Sequence, residues 1–137
     1  MIVSRARCPP ARHRPSALQS SLRSCVIGSL ISGPVLVTGG AGYIGSHVCK
    51  ALAEAGAQPI CLDTLEKGHD WAVRWGPLEV GDAGDGRLVE EVFLRHRPRA
   101  VIHLAGYIEV GESVAQPEKY MHNNAGKSRV LIGASVR

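Results

Sequence analysis

No run of about 18 apolar residues occurs in this sequence, so nothing in it reads as a membrane-spanning helix. Cysteine is sparse and scattered, at Cys8, Cys25, Cys49 and Cys61. No pair has zinc-ligand spacing and none makes a C-x-x-C, so neither a zinc site nor a dithiol redox motif is expected. Small buried thiols in a reducing compartment are the expectation, and with them a cytoplasmic location. Acid is missing altogether from residues 1–33, which hold Arg5, Arg7, Arg12, Arg14 and Arg23. Of the 16 Lys+Arg that leaves 11 for residues 34–137, against all 12 Asp+Glu. The formal charge of +4 therefore belongs to the extension, and the remainder offers no basic patch for nucleic acid. What is present, 137 residues with 45% hydrophobic content, suits one globular domain.

The chain is organised around Thr38-Gly39-Gly40-Ala41-Gly42-Tyr43-Ile44-Gly45. The apolar run Val35-Leu36-Val37 precedes it. A helical repeat follows, with Ile44, Val48, Ala51, Leu52 and Ala55 on one face. A glycine pattern in a strand–turn–helix context predicts a phosphate site. Gly39 makes the tight turn, Gly42 lets a pyrophosphate approach the backbone, and Gly45 lets the helix pack against the sheet. The first N–H groups of such a helix lack acceptors, and its dipole favours an anion there. Asp63 ends a second apolar run, Pro59-Ile60-Cys61-Leu62. A carboxylate at that strand tip accepts hydrogen bonds from ribose hydroxyls and repels a 2′-phosphate, which favours NAD over NADP. Lys67 nearby would soften that preference, and the plainer role for Asp63 is a turn or cap residue.

Residues 1–33 read as a disordered Arg/Ser/Pro-rich extension. A transit peptide, a poor secretory signal and a start codon set too far upstream are the competing origins, the last being favoured. From residue 34 strands alternate with helices. Strands are predicted at 35–38, 58–62, 78–80 and 100–104. Helices are predicted at 43–55 and 87–96, with one helical turn over 70–74. Asp85 is the expected cap of the second helix, whose apolar face is Leu88, Val89, Val92 and Phe93; Pro98 ends it. The run Ala100-Val101-Ile102-His103-Leu104 reads as a strand buried on both faces. A loop with Gly106 and Gly111 follows, then a helix from Pro117 to near the last residue. The expected class is α/β: a partial, doubly wound Rossmann-type parallel sheet in the order 3-2-1-4.

Several segments together resemble the extended short-chain dehydrogenase/reductases, and within them the UDP-glucose 4-epimerases. They are residues 35–47, Gly81-Asp82, Val101 to Gly106, Val110-Gly111-Glu112-Ser113-Val114, and Asn123-Asn124 after Tyr120. The resemblance runs from 34 to about 128. It implies that 34–137 are the N-terminal part of an NAD-binding domain, truncated before the remaining strands and the substrate domain. It also implies C4 epimerisation of a UDP-hexose through a 4-keto sugar, with a homodimer in the full-length family. By position, Gly39, Gly42, Tyr43, Ile44 and Gly45 would surround the pyrophosphate, and Asp63 would hold the adenosine ribose. Asp82 with the backbone of Ala83 would face the adenine amino group, though Asp82 reads equally as a turn former. Leu104, Ala105 and Gly106 would line the nicotinamide, and Asn124 would reach the cofactor from the last helix.

His103 reads as a buried, hydrogen-bonded strand histidine rather than an acid or base, and Glu112 as a capping residue as readily as a base. Three departures stand out. Ala83 replaces a larger aliphatic residue, Ile108 replaces a lysine near the phosphates, and Ala125-Gly126-Lys127-Ser128 breaks the family's usual run. The family's chemistry uses a Tyr-x-x-x-Lys pair with a nearby Ser or Thr. Tyr43, Tyr107 and Tyr120 are followed four residues on by His47, Gly111 and Asn124. The 137 residues alone are therefore expected to be inactive, with an unpaired edge on the fourth strand that favours self-association. A frameshift after residue 125 is one expected origin. The rival readings are a non-catalytic NAD-binding module and a piece of another sugar-nucleotide dehydratase or epimerase.

Overall fold

The computed structural model describes residues 32–136. The disorder expected of the extension falls outside these, save for Ser32 and Gly33. Four strands form one parallel sheet: β1 (Pro34–Thr38), β2 (Gln58–Asp63), β3 (Leu78–Val80) and β4 (Ala100–His103). Their order is β3-β2-β1-β4, as the alternation of strands and helices predicts. Leu36 stands opposite Ile60 on one side and Val101 on the other. The helices are α1 (Tyr43–Glu54), α2 (Gly86–His96), α3 (Val110–Ala115), α4 (Pro117–Tyr120) and α5 (Ser128–Ser135). A π-helical segment, Met121–Lys127, joins α4 to α5, and a 3-10 turn spans Asp70–Ala72.

Strand β1 is apolar up to Thr38 because both its faces are covered. Val35 and Val37 pack with Cys49 and Leu52 of α1 and with Ala57. Leu36 points the other way, into a cluster with Ile60, Leu62, Val89, Val92 and Leu131. Helices on both faces make the sheet doubly wound. Asp85 caps α2 as expected, accepting from Arg87 N and Leu88 N, and Arg97 in the left-handed region closes it.

Four details differ from the sequence reading. Strand β4 is not buried on both faces: Val101 and Ile102 are half-buried, Ala100 and His103 exposed. It lies at the edge of the described sheet, where nothing pairs with its outer side. The buried face of α1 is centred on Gly45, Cys49 and Leu52, and Ile44 is 65% exposed. Gly45 sets that rotation. A Cβ there would lie 2.0 Å from the Gly39 carbonyl oxygen, so this side of the helix docks on the turn. The stretch holding Gly111 is helical, not a loop. Finally, the helix from Pro117 passes through a π register that no hydrophobic period announces.

Candidate functional site

In a parallel sheet every strand's C-terminal end lies on one edge. The turns after Thr38, Asp63, Val80 and His103 therefore converge, and β1 and β4 form the switch point where the connection reverses. An open cleft of about 310 Å³ lies there. Of the residues expected to bind a cofactor, Gly39, Gly42, Tyr43, Asp63, Asp82, Ala83, Leu104, Ala105 and Gly106 line it. Ile44, Gly45 and Asn124 do not. Ile44 faces outward, Gly45 is buried under the turn, and Asn124 acts through Tyr107.

The glycine turn is held by close backbone approach. Gly39 has φ +72°, and a Cβ there would meet Ala105 N at 2.8 Å. Gly42 caps α1 without a side-chain acceptor, and the first turn of α1 carries no acid. The first intrahelical bond from this end is Ser46 N to Gly42 O, 2.9 Å. The helix N–H groups before it have no intrahelical acceptor, the general condition under which a helix start can take an anion.

Asp63 props the turn. Its Oδ2 accepts from Ala41 N at 3.0 Å and its Oδ1 from Leu65 N at 2.9 Å. Both roles weighed in the sequence are thus compatible: it is a turn residue, and each oxygen keeps a further lone pair for a hydroxyl donor. His69 N donates to Ala41 O, so residues 63–69 cross directly over the glycine turn. Lys67 stands 3.9 Å from Glu109 and 5.8 Å from the centre of the Tyr107 ring.

Asp82 forms a turn, accepting from Gly84 N at 2.8 Å, and its other oxygen meets Lys127 Nζ at 2.6 Å. Burial pushes this carboxyl up, but the hydrogen bonds from Lys127 and Gly84 outweigh it and hold it below its ordinary range. Ala83 is buried in the cluster with Leu62, Val89 and Leu131 while still lining the cleft. Ile108, where the resemblance implies a lysine, is 83% exposed. Lys127 and Asn123 are cleft residues that the sequence reading missed. They sit four apart in the π segment, a spacing that puts two helical residues on one side, and no apolar period marks that side as facing the cleft.

His103 is hydrogen-bonded as expected but not buried as a residue. Its Nδ1 meets Thr38 Oγ1 at 2.5 Å and its Nε2 meets Ser128 Oγ at 2.8 Å. Ser128 Oγ donates to the Asn124 carbonyl, so it accepts from Nε2–H, and Thr38 then donates to Nδ1. Thr38 in turn accepts from Ala105 N at 3.5 Å. The chain runs one way and needs a neutral ring. Desolvation lowers the His103 pKa, which keeps it so. Asn124 closes the network: its Oδ1 accepts from Tyr107 N at 2.8 Å and its Nδ2 donates to Tyr107 O at 2.9 Å. These contacts set the backbone of residues 104–107 along the cleft wall.

Glu112 is structural here. It takes Lys119 Nζ at 2.6 Å and the Tyr120 hydroxyl at 2.8 Å, tying α3 to α4. Lys119 holds the Glu112 carboxyl below its usual range. Burial and the same carboxylate raise the Tyr120 phenol, the opposite of an activated general base. Among the described residues no group of His, Cys, Asp and Glu is placed to hold a metal ion.

The profile of the NAD dependent epimerase/dehydratase family matches residues 35–137, past the point near 128 where the resemblance was expected to fade. The UDP-glucose 4-epimerase of Rhizobium meliloti (strain 1021) is 49% identical over 102 residues, covering 74% of this chain and 31% of that protein. The crystal structure of UDP-glucose 4-epimerase from Brucella ovis in complex with NAD is 47% identical, with TM-score 0.73. The match covers 75% of this chain and 32% of that one. The enzyme from Bifidobacterium longum, in complex with NAD+ and UDP, is 37% identical with TM-score 0.64, over 74% and 32% of the two chains. The chain thus spans about a third of the length of these relatives. Sequence, sheet order and cleft agree: the chain belongs to the NAD dependent epimerase/dehydratase family.

Proposed function

We propose that these residues form the NAD-binding part of a UDP-glucose 4-epimerase. In this reading they serve the interconversion of UDP-glucose and UDP-galactose when joined to a sugar-binding part. The observation that carries it is the convergence of the open α1 N-terminus, the Asp63 carboxylate and Asp82 on one cleft at the switch point. The fit is chemical. An uncapped helix start beside Gly42 takes a pyrophosphate, the remaining lone pairs of Asp63 take ribose hydroxyls, and Asp82 takes an exocyclic amine. The 104–106 backbone, fixed by Thr38 and Asn124, lines the nicotinamide side. Asp63 disfavours a 2′-phosphate, so NAD is preferred over NADP. Bound NAD supplies a reversible hydride acceptor.

Proton transfer at the sugar is a separate matter. No tyrosine of this chain has a lysine four positions on, and the Tyr120 phenol is tied to Glu112. We therefore infer that the 137 residues alone bind NAD and do not epimerise. These same tyrosines favour a second reading, a non-catalytic NAD-binding module. The source DNA separates the two: a Ser-x-Tyr-x-x-x-Lys segment in a continuing frame supports the epimerase. The unbridged, buried Cys49 and Cys61 suit a reducing, cytoplasmic setting, and a homodimer of the full-length protein belongs to this reading.

The test is calorimetric titration of the chain with NAD, paired with a UDP-galactose conversion assay. Saturable binding of NAD, weakened at least tenfold by Asp63→Ala, with no conversion, is expected. No binding up to millimolar NAD would overturn the proposal.

A further inference from the structure

The glycine turn after β1 lies between the loops that follow β2 and β4, because β1 stands between those strands. Two side-chain contacts join these loops across it. The Tyr107 hydroxyl donates to Glu66 Oε2 at 3.3 Å, and Lys67 Nζ stands 3.9 Å from Glu109. The other links between turn and loops are backbone ones. Ala41 O accepts from His69 N at 3.1 Å, and a Cβ at Gly39 would lie 2.8 Å from Ala105 N. Turn, first loop, Glu66–Tyr107 contact and second loop thus close a ring. Gly39, Glu66, Ala105 and Tyr107, one from each part of it or at its joins, line the cleft.

The two sides of the ring differ in freedom. Tyr107 is fixed: Asn124 holds both its N–H and its carbonyl, and its ring lies 5.5 Å from that of Tyr120. Residues 64–67 are anchored at their two ends. Asp63 Oδ1 accepts from Leu65 N at 2.9 Å, where the chain turns with φ +60°. At the other end a Cβ on Gly68 would meet Ala41 Cβ at 2.8 Å. Between these anchors Glu66 and Lys67 are exposed, so their contacts with the far loop are of the weak kind that water and salt compete with. The span can open by breaking those contacts while the sheet stays as it is.

In the NAD reading, a dinucleotide that reaches from Asp63 to residues 104–106 crosses the glycine turn between the two loops, and so passes through this ring. We propose that the Glu66–Tyr107 contact is a clasp that closes over the pyrophosphate and limits how fast a dinucleotide enters and leaves. This rests on the NAD-binding reading and adds a kinetic control to it. A clasp closed over the empty and the filled site alike slows both directions equally, so it sets rates and leaves affinity unchanged.

The experiment is stopped-flow fluorescence of the full chain with NADH, giving kon from mixing and koff from displacement by excess NAD. Tyr107→Phe removes the hydroxyl without changing charge and keeps the ring beside Tyr120. It should raise kon and koff together by about fivefold, the effect of one exposed hydrogen bond to a charged group, with Kd held within about twofold. Glu66→Ala should raise koff as much, and the double variant should add nothing to either single one. Rates unmoved by both variants overturn the proposal. A rise in koff alone overturns it too, since the pair would then be a ligand contact, and so does a double variant whose effect is the product of the two. A wild-type kon near the diffusional limit of about 10⁸ M⁻¹ s⁻¹ overturns it whether or not the variants fold. Failure of wild-type protein to bind NADH or NAD would instead overturn the NAD reading itself, and this proposal with it.

Discussion

Asp63→Asn tests how the glycine turn is held. In the wild type both carboxylate oxygens accept backbone N–H groups, from Ala41 at 3.0 Å and Leu65 at 2.9 Å. An amide has one acceptor oxygen, so one of those N–H groups must face an NH₂ group. Ala41 is 1% exposed, so its N–H has the greater need, and the Asn oxygen should turn to it. The Leu65 N–H is then left to water. A hydrogen bond to a charged group contributes about 1.5–3 kcal/mol, and Asp63 is only half-buried, so the expected loss is about 2 kcal/mol. For a domain of this size that lowers the thermal midpoint by about 8 °C or more. Urea denaturation followed by circular dichroism measures it. Asp63→Ala, which loses both bonds, should cost more than Asp63→Asn. If both variants unfold within about 0.5 kcal/mol of wild type, the carboxylate does not hold the turn and the reasoning fails.

Three further outcomes follow from the same contacts. Gly45→Ala forces a Cβ onto the Gly39 carbonyl and should cost about 3 kcal/mol. Gly111→Ala, whose Cβ meets nothing in α3, should stabilise by about 0.5–1 kcal/mol; denaturant midpoints compare them. Glu79, bonded first by His96 and then by Arg95, has its carboxyl held below its ordinary 4.5. Its folded value lies under its unfolded one, so its stabilisation is complete above about pH 4.5 and fades as pH falls through the folded value. Glu79→Gln should flatten that part of the stability–pH curve, and an unchanged curve would refute the assignment. Burial pushes the Cys61 thiol up to about 12 and raises Cys49 as well, so both should resist a thiol reagent at pH 8 until denaturant is added.

The sheet was legible because its signals are local. Continuous apolar runs mark β1 and β2, which are covered on both faces, and Asp85 announces the start of α2. The glycine spacing fixed the turn because Gly39 and Gly45 are forced by backbone approach, which no larger residue tolerates. Strand β4 misled, since Ala100-Val101-Ile102 carries the composition of a central strand while standing at the edge of the described sheet. Composition records where a strand can be buried, not what lies beside it here. The face of α1 was misread by one position because Gly45 scores as neither apolar nor polar. Lys127 and Asn123 stayed hidden for a different reason. Their segment buries no residue that would mark a face, and the partner of Lys127 is a turn 45 residues away, so neither leaves a periodic trace.

A crystal structure of the chain grown with NAD tests the central claim most directly. The account predicts the pyrophosphate at the α1 N-terminus beside Gly42, the adenosine ribose on Asp63 and the purine edge at Asp82. A dinucleotide seated elsewhere, or a cleft that stays empty at saturating NAD, would contradict it.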